Sequence, residues 1–225
     1  MASNTDKVGR GILYVRSKLL EGSIASVERF NTWYDQLHIP ELMRLEGIQF
    51  ATRHISASPR RSNHPYLALY SLANMDVLNS AHFKTIAEQR DVLPGMQYTI
   101  FDIAEFEARA YNLLKSLGSA STSIKGAPQS IVCLYASMPT TEHAEEWVQQ
   151  IYADKLREIA DLRRLCLYRC TTEFQQKNNS GDVQPEAQYL AILEFDTDEV
   201  SIPNSGYGGA DVEHFTLLRW FGHYI

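Results

Sequence analysis

An internal echo constrains this chain more than any other feature. The stretch 30–42, FNTWYDQLHIPEL, returns within 143–159, HAEEWVQQIYADKLREI, with Trp33 matching Trp147 and Leu42 matching Leu156 at a constant offset of 114. The apolar run at 11–17, GILYVRS, has its counterpart in SIVCLYA at 130–136, and YLALYSL at 66–72 in YLAILEF at 189–195. The last offset has grown to 123, which places about nine extra residues in the polar loop FQQKNNSGDVQPEAQ. A pattern that restarts in this way is one supersecondary unit used twice.

Within the first copy, the periods switch in a definite order. Residues 11–17 read as a strand, closed by the turn Glu21-Gly22-Ser23; Ser26 is a candidate helix cap with Glu28 in the first turn. Residues 48–56, IQFATRHIS, alternate as a strand, with Gln49, Ala51 and Arg53 on one face and Ile48, Phe50, Thr52 and His54 on the other. The turn-rich SASPRRSNHP at 56–65 is a loop, and 66–72 is a strand apolar on both faces. A helix over 74–90, capped by Asn74, and a strand over 97–106 complete the copy.

The order is β-α-β-β-α-β, the ferredoxin-like arrangement, whose sheet keeps one face free of helices. A second copy in the same chain supplies the cover. The expected fold class is therefore α+β: two tandem ferredoxin-like repeats, 8–115 and 129–225, joined by the linker SLGSASTSIKGAP at 116–128 and packed sheet to sheet as a closed barrel. The second repeat is degenerate, since DEVSIPNSGYGGAD, where its second helix should stand, is broken by Gly and Pro.

On the first helix, Phe30, Tyr34, Leu37 and His38 fall at i, i+4, i+7 and i+8, so a phenol and an imidazole share the apolar face. Pro40 cannot donate to the carbonyl of Gln36, so the helix should kink or restart there, with Gly47 as its stop. His38 is the first candidate for proton transfer, because imidazole titrates near neutral pH. Tyr34 and Arg53 are candidates to hold a developing oxyanion. Trp33, Leu37, Phe50, His54, His82 and Phe83 are candidate substrate-lining residues, while Asp35 reads as a solvated helix residue and His64 as a loop residue.

Composition narrows the partners. A net charge of -6 argues against nucleic acid or an anionic membrane, and no apolar run approaches ~18 residues. The N-terminal MASNTDKVGR lacks an apolar h-region, and three cysteines in neither an even set nor a CxxC pair fit a reducing compartment, so a cytoplasmic protein is expected. No HExxH, HxH or Cys/His cluster suggests a metal, no GxSxG suggests a serine nucleophile, and no GxGxxG or GxxxxGK[ST] cradles phosphate. No metal and no cofactor is expected, although a single histidine leaves haem open.

With FNTWYDQLHIPEL, GIQFATRH, YLALYSL and VLPG in this order, the chain resembles the dimeric α+β barrel superfamily, and within it the fungal EthD-like proteins with two tandem ferredoxin-like units. The resemblance implies a pocket between sheet and helices, with Tyr34 and His38 pointing into it. In the second copy Val148, Tyr152, Asp161 and Leu167 stand where Tyr34, His38, Gly47 and Arg53 do, which assigns the chemistry to the first half. The implied activity is that of a cofactor-independent lyase, isomerase or cyclase, pericyclic closure included. Its substrate would be a small apolar carbonyl or carboxylate compound of polyketide- or terpenoid-type secondary metabolism. The alternative is a non-catalytic small-molecule binder or accessory protein of an oxidative pathway. A closed intrachain barrel needs no partner copy, so a monomer or weak dimer is expected.

Overall fold

The computed structural model describes residues 9–22, 27–88, 99–118, 126–157, 159, 161–174, 188–200 and 207–222. Eight antiparallel strands close into one barrel in the order β1-β3-β2-β8-β5-β7-β6-β4. The strands are β1 (Gly11–Leu19), β2 (Ile48–Ser56), β3 (Tyr66–Leu72), β4 (Ala104–Leu117), β5 (Ser130–Ala136), β6 (Leu162–Phe174), β7 (Tyr189–Phe195) and β8 (Asp211–Gly222). The first four strands lie side by side as β4-β1-β3-β2 and the last four as β8-β5-β7-β6, the same spatial order. The two sets are sewn together by β2 with β8 and by β4 with β6. Closure leaves no strand edge unpaired.

Few helices among the described residues pack outside this barrel. The first is α1 (Val27–Trp33), which passes through a π turn (Tyr34–His38) into α2 (Ile39–Leu42). After β3 comes a 3₁₀ turn, Met75–Asn79, capped as expected by Asn74, whose side chain accepts from the Asp76 N–H at 2.8 Å. Ser80 then breaks the expected single helix and caps α3 (Ala81–Glu88), its Oγ accepting from the Phe83 N–H at 3.1 Å. In the second half, α4 (Thr141–Ile151) is followed by its own π turn, Tyr152–Leu156. The described residues between β7 and β8 contain no helix.

Strand alternation divides the core in three. Leu13 on β1 and Ala68 and Tyr70 on β3 meet the first-half helices, Leu165 and Leu167 on β6 meet α4, and Ile12, Tyr14, Leu67, Leu69, Ile131 and Phe215 fill the lumen. On β2 the expected alternation holds from Phe50 onward, but a bulge between Ile48 and Phe50 turns Ile48 to the helix side.

Two boundaries differ from expectation. The fourth strand begins at Ala104 rather than 97, because the Thr99 N–H donates to the Asp102 carboxylate at 2.7 Å and closes a reciprocal cap over the 3₁₀ turn Ile100–Asp102. It runs through Leu117, two residues into the expected linker. The Ser26 cap and most of the linker lie outside the described residues. Gly47 ends the α2 region at φ 105, a left-handed conformation open to glycine at no steric cost. None of the described helices is long and apolar enough to cross a membrane.

Candidate active site

Pro40 sets the local geometry. It carries no N–H, so it cannot extend the helical ladder, and the Ile39 N–H reaches back to the Tyr34 carbonyl in the five-residue spacing of a π turn, with Pro40 in the first turn of α2. The extra residue in that turn changes which side chains face inward. Phe30, Trp33 and Tyr34 are buried, but Leu37 turns out to solvent with 41% of its surface exposed. Leu37 is thus removed from the face on which helical spacing placed it. His38 comes back half-buried, stacked on the Trp33 indole with centroids 4.5 Å apart and planes at 16°. Tyr34 meets the same imidazole edge-on at 5.7 Å.

Electrostatics follows from this enclosure. Burial pushes the His38 ring down to about 4, so it is neutral throughout the physiological range. Burial also pushes the Tyr34 phenol up to about 12, against the opposing pull of Arg53 and a hydrogen bond to Ser17 on β1. The pair is therefore a neutral imidazole beside a protonated phenol, which is the protonation state required of a base and a hydrogen-bond donor.

Arg53 lies beneath α1 with only 2% of its surface exposed. Its Nη1 donates to Asp35 Oδ1 and its Nη2 to Asn31 Oδ1, both at 2.9 Å, and its guanidinium carbon stands 4.5 Å from the Tyr34 ring centroid. Asp35 is thus no solvated helix residue. It closes a bridge between helix and sheet, and its other oxygen accepts from Arg219 at 3.3 Å. With both terminal nitrogens engaged, Arg53 positions the Tyr34 ring rather than presenting a free fork to an oxyanion. Tyr70, fully buried on β3, completes this layer, and its hydroxyl has no hydrogen-bond partner among the described residues. The spacing of Asn31 and Asp35 at i and i+4 was the available sign that this helix face meets a cation.

The remaining candidates are dispersed. Phe83 is buried in the helix-side core, 6.4 Å from Phe174, and Phe50 is half-buried opposite Gly222. His82 is exposed on α3. His54 is fully buried but faces the lumen, so the sheet separates it from His38. His64, from the 57–65 loop, packs against β4 within 3.4 Å of Glu105 and 3.8 Å of Glu107. Among the described residues no three His, Cys, Asp or Glu side chains gather as a metal site.

No family model matches the chain, and no curated protein matches it in sequence. Solved structures do. An anthrone oxidase-like protein superposes with a TM-score of 0.54 at 9% identity, over 96% of this chain and 94% of that one. A monooxygenase-like protein from Fusobacterium nucleatum subsp. nucleatum gives 0.54 at 9% identity, over 96% and 95%. A chlorite dismutase-like protein gives 0.53 at 11% identity, over 93% and 95%. The chain shares with them its fold, an eight-stranded antiparallel barrel with few helices. At these identities the likeness is one of architecture, and the barrel leaves the reaction to its side chains.

Proposed function

We propose that this barrel is a cofactor-independent enzyme of the lyase, isomerase or cyclase type, acting on a small, largely apolar carbonyl or carboxylate compound. Its two halves are read as tandem ferredoxin-like units of the EthD-like kind, with the chemistry in the first. The observation that carries this reading is the neutral His38 ring held flat on Trp33 and edge-on to Tyr34.

In the proposed step the free imidazole lone pair takes a proton from the carbon beside the substrate carbonyl, the C–H electrons move into the carbonyl as an enolate, and the imidazolium returns the proton at another position. Tyr34 lends its phenol proton to the enolate oxygen on release from Ser17. Arg53 holds Tyr34 through its stacking and holds the helix through Asp35. The aromatic surroundings exclude water and orient an apolar substrate. Haem fits these residues poorly: Trp33 and Tyr34 crowd two sides of the His38 ring and are themselves buried, so a macrocycle would displace core aromatics.

The deciding experiment follows conversion of a panel of aromatic polyketide acids and cyclic terpenoids by wild type and His38→Ala. A fall of about two orders of magnitude in the variant is expected, with wild-type activity rising through pH 4 and flat above it. Binding by both without turnover by either would favour the accessory binder.

A further inference from the structure

The barrel lumen holds a hydrogen-bonded chain that the His38 site does not use. Arg16 on β1 donates through Nη2 to Glu213 Oε1 on β8 at 2.8 Å, and Glu213 Oε2 accepts from the Tyr135 hydroxyl on β5 at 2.8 Å. With the Tyr135 proton committed to Glu213, Tyr14 on β1 donates to the Tyr135 oxygen. The chain therefore crosses between the two halves twice. Ile12, Leu67, Leu69 and Phe215 fill the space around it and hold the rings in place.

Tyr135 differs from other phenols of this barrel in what receives its proton. The Tyr70 hydroxyl has no hydrogen-bond partner among the described residues, Tyr34 meets the Ser17 hydroxyl, and Tyr189 meets Thr141 Oγ1 at 3.2 Å. Of these four, Tyr135 alone donates to a carboxylate. That difference decides which ring can lose an electron. Removing an electron from an enclosed phenol leaves a cation in apolar surroundings, which is costly unless the proton departs with it. An oxidised phenol is a strong acid, so even a carboxylate paired with Arg16 takes its proton and leaves the ring neutral.

The surroundings favour the same outcome. Arg16 is shared between Glu213 and Glu107, which stands opposite it on β4, and Glu107 in turn pairs with Arg109 at 2.8 Å. Arg109 also pairs with Glu173 at 3.0 Å and Lys18 with Glu105 at 3.1 Å, so in this part of the barrel three cations face four carboxylates. His64, beside Glu105 and Glu107, is lowered by burial and adds no charge at neutral pH. A net negative setting attracts a cationic oxidant, admits a neutral one and repels an anion. Tyr135 is half-buried, so an oxidant can approach its side chain while Tyr14 and Glu213 enclose its hydroxyl. Burial raises the Tyr135 phenol well above its ordinary value, so it keeps its proton until an electron leaves. Burial also holds the Cys133 thiol, opposite Glu213, up to about 12, so it stays an S–H and does not compete as a thiolate.

We propose that Tyr135 is a redox-active tyrosine, the seat of one-electron oxidation by a diffusing neutral or cationic oxidant such as an organic peroxyl radical. Tyr135 gives one electron to the oxidant, which is reduced by it, and gives its phenol proton to Glu213 Oε2. The neutral phenoxyl that remains keeps the hydrogen bond from Tyr14. This step uses no residue of the His38 site and stands whether or not His38 is catalytic.

The test uses the full chain and photogenerated tris(bipyridine)ruthenium(III), a cationic one-electron oxidant, with the radical trapped by freezing and read by electron paramagnetic resonance. Wild type should give a neutral tyrosyl signal that narrows with ring-deuterated tyrosine and is lost in Tyr135→Phe. Glu213→Gln, which keeps the side chain's shape and loses its proton-accepting charge, should slow formation of the radical about tenfold or more. Tyr14→Phe, which removes the donor to the phenoxyl oxygen, should raise the largest g value of the signal with the melting transition intact, and it decides the matter should Glu213→Gln fail to fold. A tyrosyl signal that survives in Tyr135→Phe, or a wild-type radical on the indole of Trp220, which is 45% exposed, would overturn the proposal. An unchanged rate in folded Glu213→Gln, or an unchanged g value in Tyr14→Phe, would overturn it equally.

Discussion

The two halves of this barrel share a strand order and differ at the seam between helix and sheet. In the first half that seam is ionic and aromatic: Arg53 under α1, bound to Asp35 and Asn31, with Tyr34 stacked on the guanidinium. In the second half the matching positions are the aliphatic Val148 and Leu167, both fully buried in an apolar core that also holds Tyr189 and Phe195. Trp33 stacks on His38, whereas Trp147 donates its Nε1 to the Tyr207 carbonyl at 3.0 Å and so ties down the segment that replaces the second helix. Both helices end in a π turn, but in the second half it begins at Tyr152, the counterpart of His38, one turn later. An aliphatic seam needs only packing. A buried guanidinium and a desolvated imidazole cost stability, and the matching positions of the second half, Leu167 and Tyr152, carry neither.

Arg53 offers the sharpest way to break this contrast. Arg53→Ala leaves Asp35 with Arg219 alone, removes the partner of Asn31 and empties the guanidinium's site under Tyr34, and should cost about 3–5 kcal/mol in urea unfolding. The combined Asn31→Ala, Asp35→Leu, Arg53→Leu chain, which sets at position 53 the leucine the second half has at 167 and removes both of the arginine's partners, should recover most of that loss. If the combined variant is no more stable than the single one, the ionic seam is not the interchangeable counterpart of the aliphatic one.

The phase of the π turn gives the next effect. Ile151 and Leu37 occupy equivalent positions, yet Ile151 is 4% exposed. Ile151→Ala should therefore cost about 2–5 kcal/mol. Equal costs at the two positions would show that the turns do not differ in phase.

Acid should act mainly on the first half. Burial lowers His38 to about 4 and His54 to about 3, and it lowers His64 and His214 as well. The folded values lie below the ordinary value near 6.5, so the unfolded chain binds protons first as the pH falls. Stability is full above pH 6.5 and declines through pH 4 toward 3, His38 alone accounting for on the order of 3 kcal/mol. His38→Tyr, which installs the second half's residue, should flatten part of that slope in melting curves taken across this window.

Smaller still, Trp147→Phe removes one hydrogen bond to the Tyr207 carbonyl and should cost about 1 kcal/mol. Trp33 has no partner at Nε1 among the described residues, so Trp33→Phe should instead show as a changed His38 titration by NMR. Leu37→Ala should stay within about 0.5 kcal/mol of wild type.

Much of the architecture was legible from period and punctuation. The strands β1, β2, β3, β5 and β7, the Asn74 cap, the Gly47 stop and the break at Pro40 follow from local chemistry, since alternation, capping side chains and a missing N–H act within a few residues. The start of β4 was missed because the Thr99 and Asp102 cap competes locally with strand pairing. From sequence alone Arg53 stands as an oxyanion candidate and Asp35 as a solvated helix residue, because a bond between positions 18 apart is formed only when the first helix is laid across β2.

The amino-acid order thus determined most of the strands and several of the helix boundaries, because hydrophobic period and turn residues carry that information locally. It also settled that His38 and Tyr34 share a helical segment. Folding the chain settled the rest: one extra residue in a turn carried Leu37 out to solvent, closure of the barrel put His54 on the far side of the sheet from His38, and the register of β1, β3 and β2 aligned Arg16 with His54 in the lumen. Each depends on a hydrogen bond or a strand pairing made across the chain, and a side chain's surroundings exist only once those bonds are formed.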